Sequence, residues 1–216
     1  MLPDSKETTM EQIWLTWAKQ LQAIASTGMH FTDGQYDRER YEQIADISQQ
    51  MLSRLGDVPI ERVLSLFPDS AQGYATPKVD VRGAVIQNDK ILLVKERVDQ
   101  LWTLPGGYAD VGLSPAENVA KEVDEEASIT VEVKALYALR HKARHGYDQD
   151  ARDFYKFFFL CEQTDERFPA PGPETMDAVY FSADELPPLS RTRVIEEDIH
   201  AAFGARSRET VFTLFD

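Results

Sequence analysis

The chain has a single cysteine, Cys161, among 216 residues, so an internal disulfide is excluded. Cys161 ends a strand-like run, Phe157, Phe158, Phe159 and Leu160, and reads as a buried structural thiol rather than a nucleophile. No apolar run is long enough to span a bilayer, and charges interrupt residues 1–33 throughout. Neither a membrane helix nor a signal peptide is therefore expected, and a cytoplasmic location follows by default. Positive charge is scarce: 23 Lys and Arg stand against 37 Asp and Glu, a formal net charge of -14. That balance argues against general adhesion to nucleic acid or anionic membranes. It also means that an anionic substrate is repelled unless a metal ion and a few local cations overcome the field. Internal repeats and low-complexity tracts are absent.

What is present suits a soluble globular chain with one ample core, or one core plus a small extra domain. Residues 9–70 read as three helices. Ile13, Trp14, Trp17, Leu21 and Ile24 recur at helical spacing, as do Tyr41, Ile44, Ala45, Met51, Leu52 and Leu55, with Gly56 as a stop. Ile60, Val63, Leu64 and Phe67 mark a third, short helix. Trp14 and Trp17 are expected in the core. So few residues make a marginal core alone, so these helices should pack on the rest of the chain or on a second subunit. Residues 72–77 form a linker, which divides a helical N-terminal domain (1–75) from a second domain (76–216).

From Lys78 the period changes to two. Val79, Val81, Gly83 and Val85 alternate with Asp80, Arg82 and Ala84, and Asn88 and Asp89 make a turn before Ile91 to Val94. Further strands are expected over 130–139, 154–161 and 178–181, with a polar exposed loop at 142–153. A short helical turn fits 182–185 and a closing helix 192–203. Strands and helices in this order suit a mixed sheet covered on both faces.

One stretch carries chemistry. Gly106 and Gly107 lead through a short loop to Ser114, Pro115 and Glu117, a helix start with an N-cap, a first-turn proline and a capping-box acid. Val119, Val123 and Ala127 form an apolar stripe. Glu122, Glu125 and Glu126, at i, i+3 and i+4, gather three carboxylates on one face, where like charges repel. A hard divalent cation such as Mg²⁺ turns that repulsion into binding, because it prefers carboxylate oxygens and shares its sphere with water and phosphates. A solvated acidic face is the plain alternative. The glycine pair and the capping box at fixed distance favour the metal.

The stretch resembles the Nudix box, Gly-x5-Glu-x7-Arg-Glu-U-x-Glu-Glu-x-Gly-U with U aliphatic. Gly107, Glu122, Val123, Glu125, Glu126 and Ile129 fall in register. Three positions depart: Leu113 for the first glutamate, Lys121 for the arginine and Ser128 for the late glycine. Glu117 is placed to pair with Lys121. A left-handed cap at Ser128 would cost roughly 1 kcal/mol without glycine. The N-terminal helices, residues 73–82 and residues 101–117 resemble a bacterial subgroup with an added helical domain, including ADP-ribose and CDP-choline pyrophosphatases.

The resemblance implies an α/β/α sandwich with a mixed sheet, plus the small all-α N-terminal domain. It implies metal-dependent hydrolysis of a pyrophosphate bond in a nucleoside diphosphate linked to another moiety. A nucleotide sensor that kept the fold and lost turnover is the alternative. Mg²⁺, or Mn²⁺, would be held by Glu122, Glu125 and Glu126 with the Gly106 carbonyl. The general base would be a box glutamate, Glu122 or Glu125, or Glu174, which sits among Pro171, Gly172 and Pro173 before a strand. Arg82 and, less directly, Lys95 are candidate phosphate contacts. Tyr108 is a candidate base-stacking ring, as are Tyr36, Tyr41, Tyr74 and Tyr147. His141 and His145 read as solvent or substrate contacts rather than metal ligands. A homodimer helped by the N-terminal helices is expected.

Overall fold

The computed structural model describes residues 13–64, 74–208 and 210–216. The helical content expected at 9–12 and 65–70, with Phe67, lies outside the described residues. The chain forms two compact units. Gln149–Asp153 belong with the N-terminal helices, so the division is not a single cut of the chain.

The helical unit contains α1 (Ile13–Phe31), α2 (Gln35–Gly56) and the short α3 (Ile60–Leu64). Leu15, Ala18, Leu52 and Val63 are its buried centre. Gly28 lets α1 and α2 approach: a Cβ there would stand 2.3 Å from the Tyr41 ring. The α2 stop differs by one residue from expectation, since Gly56 is still helical and Asp57 takes the left-handed cap at φ 47°. The expected burial of the tryptophans is corrected. Trp14 and Trp17 stack edge-to-face and are 57% and 45% exposed. Their helical spacing is real, but the buried face of α1, Leu15, Ala18 and Ala25, is offset to one side of the Trp14–Trp17 stripe and leaves both rings at its edge.

The second unit is a seven-stranded sheet of β1 (Lys78–Gln87), β2 (Lys90–Glu96), β3 (Trp102–Thr103), β4 (Val131–His141), β5 (Phe154–Gln163), β6 (Thr175–Ser182) and β7 (Leu214–Phe215). The order is β3-β2-β1-β5-β4-β7, with β6 also paired to β2. β4 runs antiparallel to β5 and parallel to β7, so the sheet is mixed. Period-two alternation sorts its side chains onto two faces. Val81, Val85, Leu92, Val94, Phe159 and Cys161 pack with Val119, Val123 and Ala127 of α4 (Pro115–Ala127). Ala84, Ile91, Leu93, Tyr137 and Phe158 pack with Ile199, Ala202 and Ala205 of α5 (Glu196–Arg206). Each fully buried Val, Leu, Ile or Phe among them contributes about 1.5–3 kcal/mol. Cys161 is a buried thiol whose pKa burial pushes up to about 12, which suits the structural role.

Three local expectations change. Residues 183–184 form a turn rather than helix, and α5 begins at Glu196 after a turn at 191–193. The 142–153 loop is not simply exposed. Lys142 and Tyr147 are buried, and the Tyr147 hydroxyl donates to Asp198 at 2.6 Å, fastening the loop to α5. No helix among the described residues is long and apolar enough to cross a membrane.

Candidate active site

The capping box forms as the residues dictate. Glu117 N–H donates to Ser114 Oγ at 3.2 Å, and Ser114 N–H donates to Glu117 Oε2 at 2.7 Å. With its carboxylate so occupied, Glu117 does not pair with Lys121. Lys121 Nζ instead lies 2.7 Å from Glu125 and 3.4 Å from Asp110. The loop leading into α4 is held by Asn118, a buried residue that the sequence reading missed. Its Oδ1 accepts from Asp110 N–H at 2.7 Å, and its amide donates to the carbonyls of Asp110, Leu113 and Ser114. Asn118 thus braces the loop that carries Leu113, where the box has its first glutamate. At the other end Ser128 takes the left-handed cap at φ 57°, where the box carries glycine.

The glycine pair pairs with β1. Val81 N–H donates to Gly107 O, and Gly83 N–H to Pro105 O, both at 2.9 Å. Gly106 has φ +145°, and a Cβ there would stand 2.0 Å from Val81 O, so only glycine fits this elbow. Gly106 N–H donates to Glu126 Oε2 at 2.8 Å. The Glu122 carboxylate lies against Gly107, 2.9 Å from where a Cβ would stand.

The three box carboxylates are not equivalent. Glu126 is buried, Glu122 half-buried and Glu125 exposed beside Lys121. Burial pushes the Glu126 pKa up to about 8, against the pull of Arg82 and the Gly106 N–H. Glu122 is also raised, first by burial and then by Glu125 and Glu174, with Arg82 and Lys121 opposing. A fourth carboxylate, Glu96 at the end of β2, is buried and raised too, by burial and by Asp99 and Glu174. Arg193 Nε, 3.1 Å away, counters it. Sequence reasoning missed Glu96, because a lone acid closing an apolar strand reads as a solvent-facing end.

Arg82 is corrected. It is 3% exposed, and its guanidinium donates to both Asp80 oxygens, at 3.0 and 2.8 Å, and to Leu104 O at 3.2 Å. It serves as a fixed charge beneath the carboxylates rather than an open phosphate contact. Burial would lower its pKa, but Asp80, Glu126 and Glu96 hold it raised. Lys156 also reaches Asp80, at 2.7 Å, and the two cations outweigh burial to hold Asp80 at about 2. Lys95 is corrected as well. It is half-buried on β2, and alternation sends it with Ile91 and Leu93 toward the α5 side, away from the α4 carboxylates.

Tyr108 follows the elbow, half-exposed, its ring stacked on Phe154 at 5.7 Å and 10°. Glu174 is exposed at the tip of a turn, near enough to raise both Glu96 and Glu122. His145 is engaged by Asp216 at 2.6 Å and Arg140 at 3.1 Å, and His141 packs edge-on against Tyr155. Neither joins the carboxylates.

Do these residues fit a divalent cation? Among the described residues no three acidic, histidine or cysteine groups close into a ready-made cage. Mg²⁺ does not need one, since it binds through one or two carboxylates and keeps waters and substrate phosphates. Two desolvated carboxylates held against a glycine elbow, both pushed toward protonation, are hard donors short of positive charge. The donor set fits.

Comparison with known proteins identifies the family. The NUDIX domain matches residues 77–203, and a UDP-X-like, N-terminal oligomerisation domain matches residues 12–67. The chain belongs to the Nudix hydrolase family. It is 40% identical to the provisionally assigned ADP-ribose pyrophosphatase YjhB of Bacillus subtilis (strain 168), over 94% of this chain and 97% of that one. A crystal structure of an ADP-ribose pyrophosphatase from Streptococcus suis 89-1591 is 41% identical with a TM-score of 0.59, covering 65% of this chain and all, 100%, of that one. A crystal structure of UDP-X diphosphatase is 31% identical with a TM-score of 0.60, covering 96% of this chain and 100% of that one. Nudix hydrolases generally use divalent metals.

Proposed function

We propose that the chain hydrolyses the pyrophosphate bond of a nucleoside diphosphate linked to a second moiety, giving a nucleoside monophosphate and a phosphorylated moiety. The observation that carries this reading is the pair Glu122 and Glu126 pressed against the Gly106–Gly107 elbow, with desolvated carboxylates and Arg82 beneath. Glu122, Glu125, Glu126 and the Gly106 carbonyl would hold Mg²⁺, with Mn²⁺ able to substitute. The ion supplies charge neutralisation for the diphosphate and lowers the pKa of attacking water.

The chain's own residues do the rest. Gly106 N–H holds Glu126 in place, and the Asp80–Arg82 pair fixes a positive charge behind it. Glu174 is our candidate to take the proton of the attacking water, because its turn packs on the α4 backbone at Glu125 and Glu126 and its charge acts on Glu122. Tyr108, backed by Phe154, offers a ring on which a base can stack. ADP-ribose heads the substrate order because two relatives carry that name, and a UDP- or CDP-linked moiety follows. A panel of ADP-ribose, CDP-choline, UDP-sugars, NADH and diadenosine polyphosphates, assayed with Mg²⁺ by phosphatase-coupled phosphate release, tests this. Turnover of at least one linked diphosphate is expected. Turnover of nucleoside triphosphates alone would contradict it.

The chain is proposed to act as a homodimer through its helical unit. A cleft of about 390 Å³ there is lined by Trp14, Ile47, Met51 and Leu55, and exposed apolar residues at this density commonly mark an interface. The matched oligomerisation domain supports the same reading.

A further inference from the structure

The segment that carries Glu174 is built as a fastened arm rather than a free loop. Thr175 N–H donates to Gly172 O at 3.3 Å, closing a four-residue turn with Pro173 at its second position and Glu174 at its third. Pro173 sets the backbone angle, so the turn itself is stiff. The turn is then bonded to the last turn of α4, whose final carbonyls have no partner within the helix. The Thr175 hydroxyl donates to Glu126 O at 2.8 Å and accepts from Gly172 N–H at 2.8 Å. Gly172 N–H also reaches Glu126 O at 3.3 Å, and Ala170 N–H donates to Ala127 O at 3.0 Å. The approach is close enough that a Cβ on Gly172 would stand 1.6 Å from Glu125 O. Thr175 is 0% exposed, so water cannot replace its hydroxyl. From the other side Arg97 donates to Pro173 O at 2.9 Å and to Glu174 O at 3.3 Å.

These contacts converge on Glu126, whose side chain grips the Gly106 elbow and whose carbonyl takes the Thr175 hydroxyl. We infer that Thr175 is a positioning residue: its hydroxyl locks the Glu174 turn to the helix bearing Glu122 and Glu126, setting the base at fixed distance from the phosphate site. In this structure the arm is already fastened to α4. The inference rests on the reading of Glu174 as the base.

The test compares Thr175→Val, which keeps the shape and removes the hydroxyl, with Thr175→Ser, which keeps the hydroxyl, each alone and with Glu174→Gln. Turnover is measured with Mg²⁺ on ADP-ribose or the fastest member of the panel. Misplacement of a catalytic group by an ångström costs up to about a hundredfold, so Thr175→Val should lower kcat by roughly tenfold to a hundredfold. KM should stay within about twofold, Thr175→Ser should restore most of the rate, and Thr175→Val should add nothing in the Glu174→Gln background. Amide hydrogen exchange on the metal-free full chain gives a second readout. The Gly172 amide should exchange about tenfold faster or more in Thr175→Val and at the wild-type rate in Thr175→Ser. Unchanged kcat or unchanged Gly172 exchange in Thr175→Val overturns the inference, as does an equal Thr175→Val loss with and without Glu174. Wild-type kcat in Glu174→Gln alone shows instead that the base assignment failed, and the positioning role falls with it.

Discussion

Glu126 carries the sharpest consequence at the scale of single residues. Its pKa rises from 4.5 to about 8 in the folded, metal-free chain. Below about pH 4.5 both folded and unfolded states are protonated, and burial of the group costs nothing. Between 4.5 and 8 the unfolded chain releases a proton that the folded chain keeps, so folded stability falls as pH rises through that window. The total is on the order of a few kcal/mol. Metal-free protein should therefore melt at lower temperature at pH 8 than at pH 6, and Glu126→Gln should remove much of that slope. Scanning calorimetry in chelator at both pH values checks this; a slope unchanged by the substitution would count against the burial argument. Arg82 and Lys95 show what residue identity alone does not reveal. Both are cations on strands beside an acidic helix, but Asp80 draws one inward and strand alternation sends the other to the far face.

Among elements, α4 was the most legible in the sequence, because its signals are local. Ser114, Pro115, Glu117 and the Val119–Val123–Ala127 stripe fix its start and its buried face without reference to the rest of the chain. Asn118 was not legible, since its value lies in reaching back to the carbonyls of the loop that joins the elbow to α4. Asn118→Ala should cost about 1–2 kcal/mol of stability and loosen residues 110–114. Limited proteolysis should then cut in that loop first; undiminished resistance would show that the loop holds itself. The two-residue β7 left no period to read, and its pairing with β4 is a tertiary outcome. Glu96 became visible only when β2, β6 and α4 were brought together.

For the whole molecule, the mixed sheet between α4 and α5 follows from the period of two at Val79 to Val85 and from the unbroken apolar run Ile91 to Val94, whose residues divide between the two faces. The outward-facing tryptophans did not follow, because helical spacing marks an apolar stripe but does not say whether the same chain covers it. A second copy covering it predicts that Ile47→Asp or Leu55→Glu, on residues 55% and 40% exposed, converts a dimer to a monomer without unfolding the helices. Sedimentation velocity at micromolar concentration, with circular dichroism alongside, measures both. A wild-type monomer would contradict the proposal. The net charge of -14 makes the metal decisive at this scale, since the molecule as a whole repels a diphosphate.

Manganese binding to the metal-free chain, followed by electron paramagnetic resonance, tests the central claim without depending on the right substrate. Wild type should take up the ion, and the Glu122→Gln, Glu126→Gln double variant should bind it about tenfold or more weakly while keeping its fold. Equal affinity in the two proteins would place the metal elsewhere and remove the basis of the account.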